Sequence, residues 1–239
     1  MNVVISIGGS VLVPEVGSGR VERYATALTE LDATGHDLAA VVGGGPTARE
    51  YIGAARELGA NEIELDNLGI AVTRLNARLL VAAFEDQATP TPPRDLDAAR
   101  EAMHRGDVPV MGGTAPAHTT DAVAASLAEY VDADLLVLAT SVDGVYDADP
   151  SADPDARKFE TMSVDDLVDV VADIEMAAGA NAPVDLLAAK VIQRAELDTV
   201  VVDGTDPDGV VAAIEGDHDG TEIHPADATG SSGHDGDDV

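Results

Sequence analysis

The chain has 239 residues; 45% are apolar, enough for a core, but only 3% are aromatic and none is Trp, so Val, Ala, Leu and Ile must build that core. Against 13 basic residues stand 45 acidic ones, a formal net charge of −32, which argues against nucleic acid or anionic membrane surfaces as partners because like charges repel. With no cysteine, disulfides and thiolate nucleophiles or metal ligands are excluded.

The acidic residues are spread along the chain, and lysine occurs only at Lys158 and Lys190. This pattern suits a salt-rich interior, where a Debye length of ~3 Å at 1 M screens self-repulsion. The opening MNVVISIGGS lacks the basic segment and long apolar stretch of a signal peptide. No apolar run approaches the roughly 20 residues of a membrane span. A cytoplasmic protein in a high-salt cytosol is expected.

In chain order, residues 3–7 (VVISI) read as a short buried strand, ended by Gly8-Gly9-Ser10. A helix is expected over 21–35 and a strand over 38–42 (LAAVV), running into Gly43-Gly44-Gly45-Pro46 and a helix with Arg49 and Tyr51. Asp66 stands as a candidate N-cap before a long helix over about 68–84. A proline-rich break at 89–95 precedes a short helix over 97–106 and a strand over 108–111.

Residues 112–121, GGTAPAHTTD, cannot pack as a core strand. They form a loop from that strand onto an alanine-rich helix over 121–130, with Thr120 or Asp121 as N-cap. Glycines admit close backbone approach, and a helix start offers unpaired N–H donors and partial positive charge. A fourth strand over 135–139 ends in TSVDGVY; helices over 163–172 and 184–195 and a strand over 199–202 follow. The tail from Ala226 is Gly, Ser and Asp without periodicity and reads as disordered. Strands alternating with helices give a three-layer α/β/α sandwich with a mainly parallel central sheet, and glycine-rich loops recur at its strand ends, where ligands bind in such sheets. Neither G-x-G-x-x-G nor G-x-x-x-x-G-K-[ST] is present, which argues against a dinucleotide-binding dehydrogenase or a P-loop NTPase.

Taken together, IGGS at 7–10, VVGGGPTAR at 41–49, MGGTAPAHTTDAVAA at 111–125 and TSVDGVYDADP at 140–150 resemble the amino acid kinase family over about residues 1–225. The GGTxPxHTTD loop points within it to members that phosphorylate UMP. The resemblance implies ATP + UMP → ADP + UDP with Mg2+ and no dedicated protein metal site. It implies an acceptor-binding part over about 1–134, an ATP-binding part over 135–225, and a hexamer. Carried onto this chain, it places Gly9, Ser10, Gly45, Arg49, Thr140, Tyr146 and Asp149 around ATP. It places Gly44, Asp66 and the loop of Thr114, Ala115, Pro116, Ala117, His118, Thr119 and Thr120 around UMP.

Many members carry a lysine two residues before the first Gly-Gly, where this chain has Ser6. The cationic work must then fall elsewhere: Lys190, in VDLLAAKVIQRA, matches the family's second phosphate-facing lysine, and with Arg49 and Mg2+ it is expected to stabilise the transition state; Asp143 or Asp185 is expected to orient Lys190 or a metal-bound water, and Lys158 reads as a surface residue. A phosphate acceptor is already ionised, so no general base is required, and the protein must align the groups and stabilise charge. Two alternatives stay open: a kinase of this fold with a carboxylate, carbamate or isopentenyl phosphate acceptor, and a non-catalytic nucleotide-binding protein motivated by Ser6.

Overall fold

The computed structural model describes residues 1–176 and 184–225. In chain order the first elements are β1 (Asn2–Ile7), α1 (Gly9–Leu12), α2 (Arg20–Ala33), β2 (Asp37–Val42), α3 (Gly45–Glu57), α4 (Glu62–Val81) and α5 (Leu96–His104). Then come β3 (Val110–Met111), α6 (Thr120–Tyr130), β4 (Leu135–Thr140), β5 (Thr161–Ser163), α7 (Val164–Met176), α8 (Leu186–Ala195), β6 (Thr199–Asp203), α9 (Pro207–Glu215) and β7 (Thr221–His224).

The strands form one sheet in the order β3-β2-β1-β4-β6-β7-β5. Strands β3, β2, β1, β4 and β6 run parallel, β7 is antiparallel to β6, and β5 is parallel to β7. Both faces are covered, so the strands read as continuous aliphatic runs rather than alternating ones. On one face Val3, Ile5 and Ile7 pack with residues of α1, α2 and α9; on the other Val4, Ala39 and Val41 pack with α6, α7 and α8. Ser6 takes the second face and is buried there among aliphatic neighbours.

The chain winds outward from β1 through β2 to β3, and from β4 to β6 on the other side. The order therefore reverses between β1 and β4, the place where open sheets leave a crevice at their carboxyl ends. Strand β1 is tied to β4 there by the Gly8 N–H, which donates to Ala139 O at 2.9 Å.

Several boundaries differ from the sequence reading. The long helix starts at Glu62, capped by Asn61, whose side chain accepts from Glu64 N–H while the Glu64 carboxylate accepts from Asn61 N–H. Asp66 is therefore inside α4 and is not its cap. Thr119, rather than Thr120 or Asp121, caps α6 by accepting from Ala122 N–H at 3.0 Å. Helix α7 runs on to Met176, and α1, β5, α9 and β7 were not expected. The tail from Ala226 lies outside the described residues.

Candidate active site

Two glycine turns meet at the carboxyl end of the sheet. A Cβ on Gly9 would sit 2.1 Å from Gly45 N, and one on Gly45, which has φ +63°, would sit 2.4 Å from Gly9 O. No side chain fits between these backbones, so Gly9 and Gly45 are glycine because the turns touch each other. Buried Asn76 of α4 secures the same junction, donating through Nδ2 to Gly43 O at 2.8 Å and Gly44 O at 3.2 Å.

On one side of the junction lies a cavity of about 480 Å³. The β1–α1 turn contributes Gly8, Ser10 and Val11, the chain after β4 contributes Thr140, Tyr146 and Asp149, and α6 contributes Asp121. Of the residues expected around ATP, Ser10, Thr140, Tyr146 and Asp149 line it. Gly9 lies buried beneath the surface and lines neither cavity, and Gly45 and Arg49 face the second one. The cavity's side chains are spent largely on the turn itself. Thr140 Oγ1 donates to Val142 O and accepts from Val142 N–H, Asp149 Oδ1 accepts from Ser151 N–H and Oγ, and Tyr146 OH donates to Asp143 Oδ1 at 2.7 Å.

On the other side is a cleft of about 470 Å³ between α3, α4 and the loop after β3. Gly44, Gly45, Arg49, Asp66, Ala115, Ala117, His118, Thr119 and Thr120 all line it, together with Ile52, Gly69, Ile70 and Thr73. Thr114 and Pro116 are in the loop but not in the lining. Arg49 is exposed and makes no ion pair among the described residues, with neither Glu50 nor Glu57 of its own helix as a partner.

The loop itself is fixed from three directions. At its start, Thr73 Oγ1 accepts from Gly113 N–H at 2.8 Å while Arg74 Nε donates to Gly113 O at 3.1 Å. In the middle, Asp66 Oδ2 accepts from Ala117 N–H at 2.8 Å, holding Ala117 at φ +62°, a left-handed conformation uncommon outside glycine. At its end, Thr119 Oγ1 donates to Asp185 Oδ2, and Asp185 Oδ1 caps α8 by accepting from Leu187 and Ala188 N–H. Asp66 thus shapes the loop from the cleft wall.

At the wall between the two spaces, Ser6 Oγ donates to Asp121 Oδ1 at 2.6 Å. Burial pushes the Asp121 carboxyl up to about 6; the Ser6 hydrogen bond opposes this and the nearby Asp185 charge adds to it. Ser6 therefore spends its hydroxyl on an acid that forms no ion pair among the described residues.

Two expected contacts are not made in this structure. Lys190 is exposed on α8, its Nζ donates to Gln193 Oε1 at 3.2 Å, and it lines neither space. The buried face of α8, Ala188, Ala189, Val191 and Ile192, turns it outward. Asp143 does not orient Lys190: its carboxylate accepts from Lys158 Nζ at 2.9 Å and from Tyr146 OH. Burial pulls the Asp143 carboxyl up, but these hydrogen bonds and the Lys158 charge outweigh it and hold it below the usual range. Lys158 also donates to Asp219 O at 2.7 Å, so it is a structural tie between the β4 turn and the chain before β7. Asp185 has its carboxylate on Thr119 and the α8 cap, not on Lys190.

Sequence reasoning missed Ser6–Asp121 as a bonded pair, Thr73, Arg74 and Asn76 as supports, and Lys158 as more than a surface charge. For Asp121 the signal was available: it closes the GGTAPAHTTD motif one residue inside a helix start.

Among the described residues no helix is long and apolar enough to cross a membrane. The model of the amino acid kinase family matches residues 1–203. The chain is 65% identical over 226 residues to a uridylate kinase of Haloarcula marismortui, covering 94% of this chain and 99% of the relative. It is 58% identical to one of Halobacterium salinarum, covering 94% of each. A crystal structure of uridylate kinase from Archaeoglobus fulgidus superposes with a TM-score of 0.85 at 45% identity, covering 93% of this chain and all of the other.

Proposed function

The chain belongs to the amino acid kinase family, and from that premise we infer that it is a uridylate kinase, transferring the γ-phosphoryl of ATP to UMP. The observation that carries this reading is the pair of spaces meeting at the Gly9–Gly45 contact, one for each nucleotide. ATP lies in the cavity after β4 with its phosphates toward Gly8 and Ser10. UMP lies in the cleft beside Gly44, Asp66 and the 114–120 loop, with Arg49 toward the transferred group.

The chemistry asks little of the protein beyond alignment and charge. The UMP phosphate oxygen is already an anion and attacks the γ-phosphorus in line; the bridging oxygen leaves on ADP, so no proton has to be removed. Arg49 supplies a guanidinium that makes no ion pair among the described residues, and the start of α3, with no side chain capping it among them, supplies N–H donors. Mg2+ is the remaining charge. Among the described residues no three His, Asp or Glu stand together to cage it, and the hydroxyl-and-backbone lining of the ATP cavity suits a cation carried in on the phosphates. There it would neutralise the oxygens that gain charge.

Pyrimidine nucleotide biosynthesis in a high-salt cytoplasm is the setting this reading implies, and a homohexamer the assembly. The acid excess supports the salt requirement, since self-repulsion of −32 charges is screened at high ionic strength. The deciding experiment is ADP release by purified protein in multi-molar KCl with Mg-ATP, offering UMP, CMP, dUMP, AMP, acetylglutamate and isopentenyl phosphate in turn. Turnover with UMP well above the others is expected. A different preferred acceptor would overturn the substrate, and nucleotide binding without turnover would leave a binding protein.

A further inference from the structure

Asn76 stands in the interior of α4, on the buried face it shares with Thr73, Ala77 and Leu80, and is 5% exposed. Asn is a poor helix residue, and an amide is costly to bury unless its hydrogen bonds are made. Here Nδ2 donates to two consecutive carbonyls of the turn that ends β2, Gly43 O at 2.8 Å and Gly44 O at 3.2 Å. Asn76 itself lines neither nucleotide space.

What those two bonds fix lies on the far side of the peptides. No peptide bond among the described residues is cis, and in a trans peptide the N–H points opposite to the C=O. Holding the Gly43 and Gly44 carbonyls on Asn76 therefore turns the N–H groups of Gly44 and Gly45 away from it. Neither N–H donates to an acceptor among the described residues, and both glycines line the acceptor cleft where the turn meets Gly9. Gly44 is right-handed, at φ −83° and ψ −30°, and Gly45 has φ +63°. That alternation brings successive N–H groups to one concave side and makes a cradle for an anion. Pro46 follows and has no N–H. The cradle thus has two donors and no spare, so their aim matters.

We propose that Asn76 is a positioning residue of the phosphoryl transfer: it touches no substrate, but aims the Gly44 and Gly45 N–H donors at the phosphoryl group passing between the two spaces. The inference deepens the uridylate kinase reading and rests on it. Charge on the group in transfer is what such donors stabilise, more in the transition state than in either bound nucleotide, so the effect falls on kcat. Thr73, three residues earlier on the same face, accepts from Gly113 N–H at the start of the other loop. One turn of α4 therefore serves the two loops separately, Asn76 setting the donors and Thr73 the seat of the acceptor.

Steady-state kinetics on the full chain in multi-molar KCl, with Mg-ATP and UMP, test this. Asn76→Leu keeps roughly the side chain's size and removes both donors; Asn76→Ser is a second variant that keeps one hydroxyl donor. Thermal melts verify that each is folded at the assay temperature. In Asn76→Leu kcat falls ~10–100-fold, and less in Asn76→Ser, while KM for UMP and for ATP stays within about threefold. Thr73→Val, which releases Gly113 instead, raises KM for UMP about tenfold with kcat within about threefold. A folded Asn76→Leu with kcat near wild type, whatever its melting temperature, reduces Asn76 to a structural tie and overturns the proposal. A rise in KM at unchanged kcat, or an equal loss of kcat in Thr73→Val, overturns it too. A wild type inactive with UMP but active with another acceptor refutes the functional reading alone, and the same kcat comparison on that acceptor decides the positioning; inactivity with every acceptor refutes both.

Discussion

The two spaces at the sheet's edge are built on opposite plans. Around the ATP cavity the polar side chains hold one another: Thr140 folds back on Val142, Asp149 on Ser151, and Asp143 is gripped by Tyr146 and Lys158. Around the acceptor cleft the loop is held by side chains of other elements, Thr73, Arg74, Asp66 and Asp185, and the Arg49 guanidinium at the cleft wall makes no ion pair among the described residues. On the uridylate kinase reading proposed above, the difference points to Arg49 as the catalytic charge. In a chain with 13 cationic side chains, Lys158 is committed to structure and Lys190 stands away from both spaces, whereas Arg49 lines the cleft and makes no ion pair among the described residues.

Breaking the contrast at Arg49 gives the largest effect. Arg49→Ala should lower kcat/KM for UMP by ~10²–10³-fold, the usual cost of removing a donor aimed at developing charge, read by steady-state kinetics on folded protein. Arg74→Met comes next: it removes the hold on Gly113 and should raise KM for UMP about tenfold with KM for ATP unchanged, and Arg74→Lys should restore part of the loss.

The two perturbed aspartates sharpen the comparison through pH. The raised folded value of Asp121 means that its contribution is favourable only while it is protonated. That contribution is lost as pH rises from about 4 through about 6. At pH 7 ionised Asp121 therefore destabilises the fold, and Asp121→Asn should gain on the order of 1–3 kcal/mol in denaturant melts while turnover falls. Asp143 behaves oppositely: its lowered value stabilises above the ordinary carboxylate range, and the benefit disappears as pH falls into the acid. Lys158→Met removes that pair and should cost only about 1 kcal/mol, because the Asp143 side is half exposed.

Much of this was legible because it is local. The aliphatic runs of β1, β2 and β4 and the glycine turns after them are continuous in sequence, and they alone mark a parallel sheet with ligand loops at one edge. Even the start of α4 was written there, as Asn61 with Glu64 three residues on. What could not be read depends on partners far apart in the chain. Three-residue β5 exists because β7, some 60 residues later, runs beside it. The grip of Lys158 on Asp143 needs the β4 turn folded back, and Ser6 meets Asp121 only once α6 lies across β1. Lys190 was expected at the phosphates from its match to the family's second lysine, whereas in this structure the apolar face of α8 turns it outward.

The most direct test of the account is one paired measurement: kcat/KM for UMP in Arg49→Ala and in Lys190→Ala, at the same KCl and Mg-ATP, with both proteins shown to melt as the wild type does. The account predicts a loss of about a hundredfold or more for Arg49→Ala and a change within about twofold for Lys190→Ala, as for an exposed side chain away from the site. A large loss at Lys190 with Arg49 near wild type would contradict it, and would move the catalytic charge from the acceptor cleft to α8.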